Sequence, residues 1–134
     1  MTNAYTTLVV CGAHLSGMAL NGQLIELGAE LLCATRTADT YRLYALTEFS
    51  PPRPGLIRVS EQGVAIEVEV WQLSYAAFGQ FVSAIPSPLC IGKVILEDGS
   101  MHSGFLCEQI AVQNARDISH FKGWRGFIAD NESH

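Results

Sequence analysis

A mixed α+β domain, built as a small and mostly antiparallel β-barrel with short flanking helices, is the fold class this sequence predicts. Its apolar, β-branched runs are short and separated by Gly, Pro and Asp-Gly turns, giving about seven strands. Two of these runs flank Glu97-Asp98-Gly99-Ser100, a hairpin signal. Only about three or four segments carry helical spacing, so strands outnumber helices and the sheet can close on itself.

The elements follow in order along the chain. Tyr5 to Cys11 is apolar and β-branched and ends at Gly12, the pattern of a buried strand. Gly12-Ala13-His14-Leu15-Ser16-Gly17 is the turn after it. Asn21 is placed to cap a short helix through Leu27, with Gly28 as its stop. Ala29 to Thr35 and Tyr41 to Leu46 read as strands on either side of the turn Thr37 to Thr40. Pro51-Pro52-Arg53-Pro54-Gly55 is the strongest break in the chain and reads as a surface loop. Leu56 to Val59 is a short strand. In Val64 to Leu73, apolar residues alternate with Glu67, Glu69 and Gln72, which predicts a half-buried strand with one polar face. Phe78, Phe81, Val82 and Ile85 predict a helix over Tyr75 to Ile85, capped by Ser74 and ended by Pro86 and Pro88. Cys90 to Leu96 and Met101 to Cys107 form the hairpin arms. Glu108 to Ala115 reads as a helix. Phe121, Trp124 and Phe127 predict a packed terminal helix within Ile118 to Ile128, with residues 1–5 and 130–134 frayed.

The length of 134 residues fits one domain over 1–134, with 49% hydrophobic and 16% charged residues, enough for a core without staples. The net charge is −5 and no basic run occurs, which argues against nucleic acid and anionic membranes as partners. No apolar stretch reaches membrane-spanning length and no targeting signal is evident. Cys11, Cys33, Cys90 and Cys107 lie in apolar runs without CxxC spacing, so they read as reduced, buried hydrophobes of a cytoplasmic protein. Neither a metal nor another cofactor is expected.

The loop Gly12 to Gly17 is the one place where these residues suggest a ligand. Glycines allow close approach to main-chain N–H groups, which together form an anion pocket. His14 sits in that turn with Ser16 two residues on; the alternative is an ordinary tight turn with a structural histidine. Arg36 and Arg42, beside Tyr41 and Tyr44, can hold a carboxylate through a guanidinium fork or simply end a solvated strand. Glu108 can be a buried acid or base, or a helix-start charge. Glu67 and Glu69 share a strand face, which solvated faces usually do. His102, His120 and His134 have no ligand-spaced partner and read as structural or solvent-facing.

Eight segments in order resemble one known family. They are Gly12 to Met18, Ala34 to Ala38, Tyr41 to Leu46, Pro52 to Leu56, Glu67 to Trp71, Ile85 to Leu89, Gly104 to Glu108 and Ala115 to Ser119. The chain is similar to the C-terminal domain of bacterial allophanate hydrolases over roughly Thr7 to Ile128. The resemblance implies a γ-glutamylcyclotransferase-like fold with the substrate loop at Cys11-Gly12-Ala13-His14-Leu15. Cyclotransferases use a glutamate acid/base in the place occupied here by Ala84-Ile85-Pro86-Ser87, which argues against γ-glutamyl cyclotransfer. The family's amidase domain is not part of this sequence. The resemblance implies breakdown of N-carboxycarbamate, or of a related small carboxylated amide, to CO2 and ammonia. His14 would be the catalytic residue, and Gly12, Ala13, Leu15, Ser16, Arg36, Tyr41 and Glu108 would bind substrate. The second expectation is a non-catalytic module that binds carboxylate or docks on a separate amidase subunit. The apolar strands permit a homodimer.

Overall fold

The computed structural model describes residues 4–132. Eight strands and three α-helices follow in the order β1 (Tyr5–Val10), α1 (Asn21–Glu26), β2 (Glu30–Arg36), β3 (Tyr41–Leu46), β4 (Arg53–Arg58), β5 (Glu67–Ser74), α2 (Tyr75–Ser83), β6 (Leu89–Ile95), β7 (Met101–Cys107), β8 (Arg116–Asp117) and α3 (Trp124–Glu132). Mixed α+β is therefore the class. The barrel is not closed. A five-stranded sheet runs β2-β5-β1-β7-β6 and a three-stranded sheet runs β4-β3-β8. Among the described residues, the isolated bridges Thr37–Leu96 and Tyr41–Val64, with the main-chain bonds beside them, join strand edges outside these ladders. β2 ladders with β5 on one edge; on the other, its C-terminal end meets the β6–β7 hairpin, where the Glu97 N–H donates to the Arg36 carbonyl at 3.0 Å.

β1 is the central strand because Leu8, Val9 and Val10 are apolar on both faces and are all buried. It pairs antiparallel with β5 and parallel with β7. The β6–β7 hairpin forms about Asp98-Gly99, where Gly99 takes φ +88°. Ser74 caps α2 by accepting a hydrogen bond from the Ala77 N–H at 3.0 Å.

Several expectations are corrected. Arg53-Pro54-Gly55 is not a loop but the start of β4, where Pro54 pairs with Ala45. β4 is an edge strand, the one sheet position that accepts a residue without an N–H. Asn21 is not a cap. It is the first residue of α1, after Leu20, and its amide donates to the His14 carbonyl at 3.0 Å. Glu108 to Ala115 holds only a 3-10 turn, Gln109–Val112, because pairing of Arg116 with Ala45 draws the chain out as β8. The tail helix is split: a 3-10 turn at Ser119–Phe121 ends at Lys122, φ +66°, before α3 begins. Tyr5 opens β1, and Asp130 to Glu132 continue α3; residues 1–3 and 133–134, His134 included, lie outside the described residues. Cys11 and Cys107 are buried, Cys90 is half-buried, but Cys33 is exposed on β2; all four are free thiols. Burial pushes the Cys11 thiol up to about 12, with Cys107 nearby adding to it.

Gly12 is required by proximity rather than by dihedral angle. A Cβ there would lie 2.1 Å from Pro54 Cδ and 2.3 Å from Cγ. The proline ring is fixed in β4 and cannot yield. Gly12→Ala is expected to destabilise by roughly 1–3 kcal/mol or more through overpacking. Urea unfolding checks this; an unchanged midpoint would show that the two segments separate freely.

Candidate functional site

β1 delivers the chain to the loop Gly12 to Gly17, and that loop is fastened from below. Ser16 donates its N–H to Glu69 Oε1 at 2.8 Å and its hydroxyl to Oε2 at 2.6 Å. Trp71 Nε1 donates to the same carboxylate at 3.0 Å, and Arg125 from α3 at 3.2 Å. Arg125 also donates to the Ser16 carbonyl at 2.7 Å. Glu69 is only 5% exposed. Burial works to raise its pKa, but the bonds from Ser16, Trp71 and Arg125 overcome that and hold the carboxyl below its ordinary value. The strand face expected to be solvated thus carries one exposed carboxylate, Glu67, and one buried one. Ser16, expected to bind substrate, is an anchor of the loop instead.

His14 lies at the top of this loop and is 6% exposed. Its ring stacks on Phe105 at 5.2 Å between centroids and meets Phe81 edge-on at 5.0 Å. Nε2 lies 2.9 Å from Gln23 Oε1 on α1. A carbonyl oxygen can only accept, so Nε2 carries the proton and Nδ1 is the basic nitrogen. Burial pushes the His14 pKa below 6.5; the Gln23 bond opposes this and the charge of Arg53 reinforces it. The ring is therefore neutral near pH 7 when the site is empty.

A cavity of about 410 Å3 opens beside His14, between the α1 face bearing Gln23 and Glu26 and the α2 face bearing Gln80 and Phe81. Its apolar wall is Phe81, Phe105, Leu27 and Ile85, and Arg53 supplies its cation. A smaller recess of about 20 Å3 adjoins Gly12, Ala13, His14 and Arg53. Arg53 forms no ion pair among the described residues; its guanidinium packs on the Phe49 ring at 5.2 Å, and its buried Nε has no hydrogen-bond partner. Burial lowers its pKa, a cost that a bound anion would offset. The N–H groups of Ala13 and His14 likewise donate to nothing among the described residues, while that of Leu15 is used by Gly12. The arrangement places Arg53 and the loop residues Gly12 and Ala13 beside a neutral imidazole.

The other candidates lie elsewhere. Arg36 is exposed and pairs with Glu97 at 3.5 Å, outside the cavity lining. Tyr41 is fully buried, and its hydroxyl accepts the Ile95 N–H at 2.9 Å, a structural role. Arg42 is held by Asp117 at 2.7 Å. Glu108 is exposed, precedes the 3-10 turn, and does not line the cavity; its N–H donates to the Pro88 carbonyl. Ala84, Ile85 and Pro86 do line the cavity, and they bring no carboxylate to it. Sequence reasoning missed Arg53, Gln23, Glu26 and Gln80. For Arg53 a signal existed, a lone cation inside a proline-rich strand start; the other three needed the helix orientations.

Comparison with known proteins identifies the family. The family profile described as allophanate hydrolase C-terminal domain matches residues 6–129. The chain is 40% identical over 125 residues to urea amidolyase of Saccharomyces cerevisiae, covering 90% of this chain and 7% of that protein. It spans a similarly small part, 7%, of urea amidolyase from Lachancea kluyveri, at 39% identity. The crystal structure of Kluyveromyces lactis urea amidolyase superposes with a TM-score of 0.90 at 38% identity, over 95% of this chain and 8% of that one. A uropathogenic E. coli-specific protein superposes at 0.87 and 35% identity, over 96% of this chain and 98% of its own. A γ-glutamyl cyclotransferase shares the fold alone, with a TM-score of 0.55 at 12% identity over 84% of this chain and 69% of that one. The profile match over residues 6–129, with relatives at 35–40% identity over nearly the whole chain, shows that this chain belongs to the allophanate hydrolase C-terminal domain family.

Proposed function

We propose that the cavity binds a small carboxylated amide or carbamate and that His14 passes a proton to the nitrogen released from it, N-carboxycarbamate being the leading substrate. The observation that supports this reading best is the meeting of His14, Arg53 and the unpartnered Ala13 and His14 N–H groups around one recess. A carboxylate of the substrate sits on Arg53 and these N–H groups. Its negative charge next to His14 draws a proton onto Nδ1. The second carboxylate faces Phe81 and Phe105, where poor solvation favours its loss as neutral CO2. As that C–N bond breaks, its electron pair goes to nitrogen and takes the His14 proton. The resulting carbamate takes up a further proton and falls to CO2 and ammonia.

Proton uptake makes binding pH-dependent, with a defined sign. The His14 pKa is depressed in the empty protein and rises when an anion binds, so malonate is expected to bind more tightly as pH falls from 7.5 toward 6. Titration calorimetry across that range checks the slope; pH-independent affinity removes the proton from the binding step. Malonate at about a hundred times its Kd should add roughly 2.7 kcal/mol to the folded state. Arg53→Gln should abolish that protection, and protection that survives it would place the anion elsewhere. A CO2 and ammonia release assay tests catalysis directly.

A second reading is a carboxylate-binding module that serves a separate amidase subunit. The small share of the urea amidolyases covered by this chain favours it, because there the domain sits beside others. Malonate protection without turnover would support this reading over the enzymatic one.

A further inference from the structure

We infer that the cavity beside His14 holds a second subsite at its outer end, formed by Glu26 and Gln80, which reads a primary amide on the far end of a carboxylate ligand. This subsite extends the carboxylate-binding reading of Arg53 and rests on it. The cavity and the small recess share His14, Arg53 and Phe105, which marks the inner end where a carboxylate sits. His14 is buried there, and so is the partnerless Nε of Arg53. Glu26 and Gln80 line only the larger cavity and are exposed, so they belong to its rim. Leu27 and Ile85, half-buried and apolar, line the same outer part. Pockets of about 300–1,000 Å3 ordinarily enclose drug-sized ligands, and this one has about 410 Å3. N-carboxycarbamate, held at the inner end, is too small to fill it and leaves the rim unused.

The rim groups differ in kind from the inner ones. Gln23 and Glu26 share one face of α1, and Glu26 stands about 4.5 Å further along the axis. Gln23 is committed to His14 Nε2. Glu26 forms no ion pair, and neither Glu26 nor Gln80 makes a side-chain hydrogen bond, among the described residues. A carboxylate only accepts, whereas a glutamine side chain both accepts and donates. Together they complement a primary amide, whose NH2 donates to Glu26 and whose carbonyl accepts from Gln80. A second carboxylate in that place would meet Glu26 with like charge. Arg53 inside and Glu26 outside therefore select a monoanion, carboxylate inward and amide outward, with an aliphatic spacer against Leu27 and Ile85. The longer spacer of glutaramate suits the separation of the two ends better than the short one of malonamate.

Titration calorimetry at pH 7 with matched acids and monoamides tests the subsite: malonate against malonamate, succinate against succinamate, and glutarate against glutaramate. The amide should gain on its acid as the spacer lengthens, and glutaramate should bind roughly tenfold tighter than glutarate. Glu26→Gln removes the charge that repels glutarate, and the preference should vanish. Gln80→Leu should weaken glutaramate by roughly threefold or more, through loss of one hydrogen bond. Both positions are exposed, so neither change threatens the fold. Equal affinities for glutarate and glutaramate, an amide advantage largest for malonamate, or a preference that survives Glu26→Gln would each overturn the subsite. Malonate binding without any amide preference overturns the subsite alone. A wild type that binds none of these ligands overturns the carboxylate reading with it.

Discussion

Replacing His14 by Gln is expected to lower turnover of N-carboxycarbamate by roughly 10²–10⁴-fold, the usual loss for a positioned acid. Malonate binding should persist through Arg53 but lose its pH dependence. Gln keeps a polar group near Gln23 and fills part of the slot, yet has no titrating nitrogen. His14→Ala is the poorer variant. The ring is buried between Phe81 and Phe105, so its removal leaves a void and costs stability as well as chemistry. The side chain lines the cavity and is at the same time part of the packing around it. Steady-state assays with a malonate thermal shift on the same samples separate the two effects. Full activity in His14→Gln would move the acid to another group.

Glu69→Ala should produce the largest loss of stability of any single change at the site, about 3–5 kcal/mol. The carboxylate receives the Ser16 N–H, the Ser16 hydroxyl, Trp71 Nε1 and Arg125, so truncation strands several donors at once. Each buried orphan costs about 1–3 kcal/mol. Arg125→Ala should cost only about 1 kcal/mol or less, because its side chain is 44% exposed and solvent replaces the bond. The pH response has a fixed sign. The folded-state pKa of Glu69 is depressed, so its contribution is full above the ordinary glutamate value near 4.5 and is lost as pH falls through the folded value. Urea titrations at neutral pH and in the acid range test both statements. Equal stability of Glu69→Ala and wild type would mean that Ser16 and Trp71 find other acceptors.

Legibility of the sequence followed the range of each interaction. The Asp98-Gly99 hairpin, the Ser74 cap and the β1 run were readable because their causes lie within a few residues. The barrel was not, since closure depends on how far the sheet edges approach, and here β2 and β6 meet at one end, around the Thr37–Leu96 bridge. Arg53-Pro54-Gly55 was misread as a loop because proline marks a break locally and an edge strand only in context. The glycine loop was visible as a candidate site. Its supports were not: Glu69 looked like a surface charge because its alternation with apolar residues is identical whether the polar face meets water or Ser16 and Trp71. Arg36 and Tyr41 were drawn to the loop by chemistry, but the strands that carry them lead elsewhere.

The two neighbours of β1 bear on when this protein can become active during synthesis. Residues 5–10 leave the ribosome well before their partners, residues 69–74 of β5 and Gly104 of β7. The ring that stacks on His14 belongs to Phe105, and the arginine that ties down Ser16 belongs to α3. Such distant pairings pay loop-closure entropy before any contact rewards them and form slowly. The glycine loop, though translated long before these partners, therefore acquires its folded shape only after nearly the whole domain has emerged. A nascent chain stalled before Phe105 should have no carboxylate site at all.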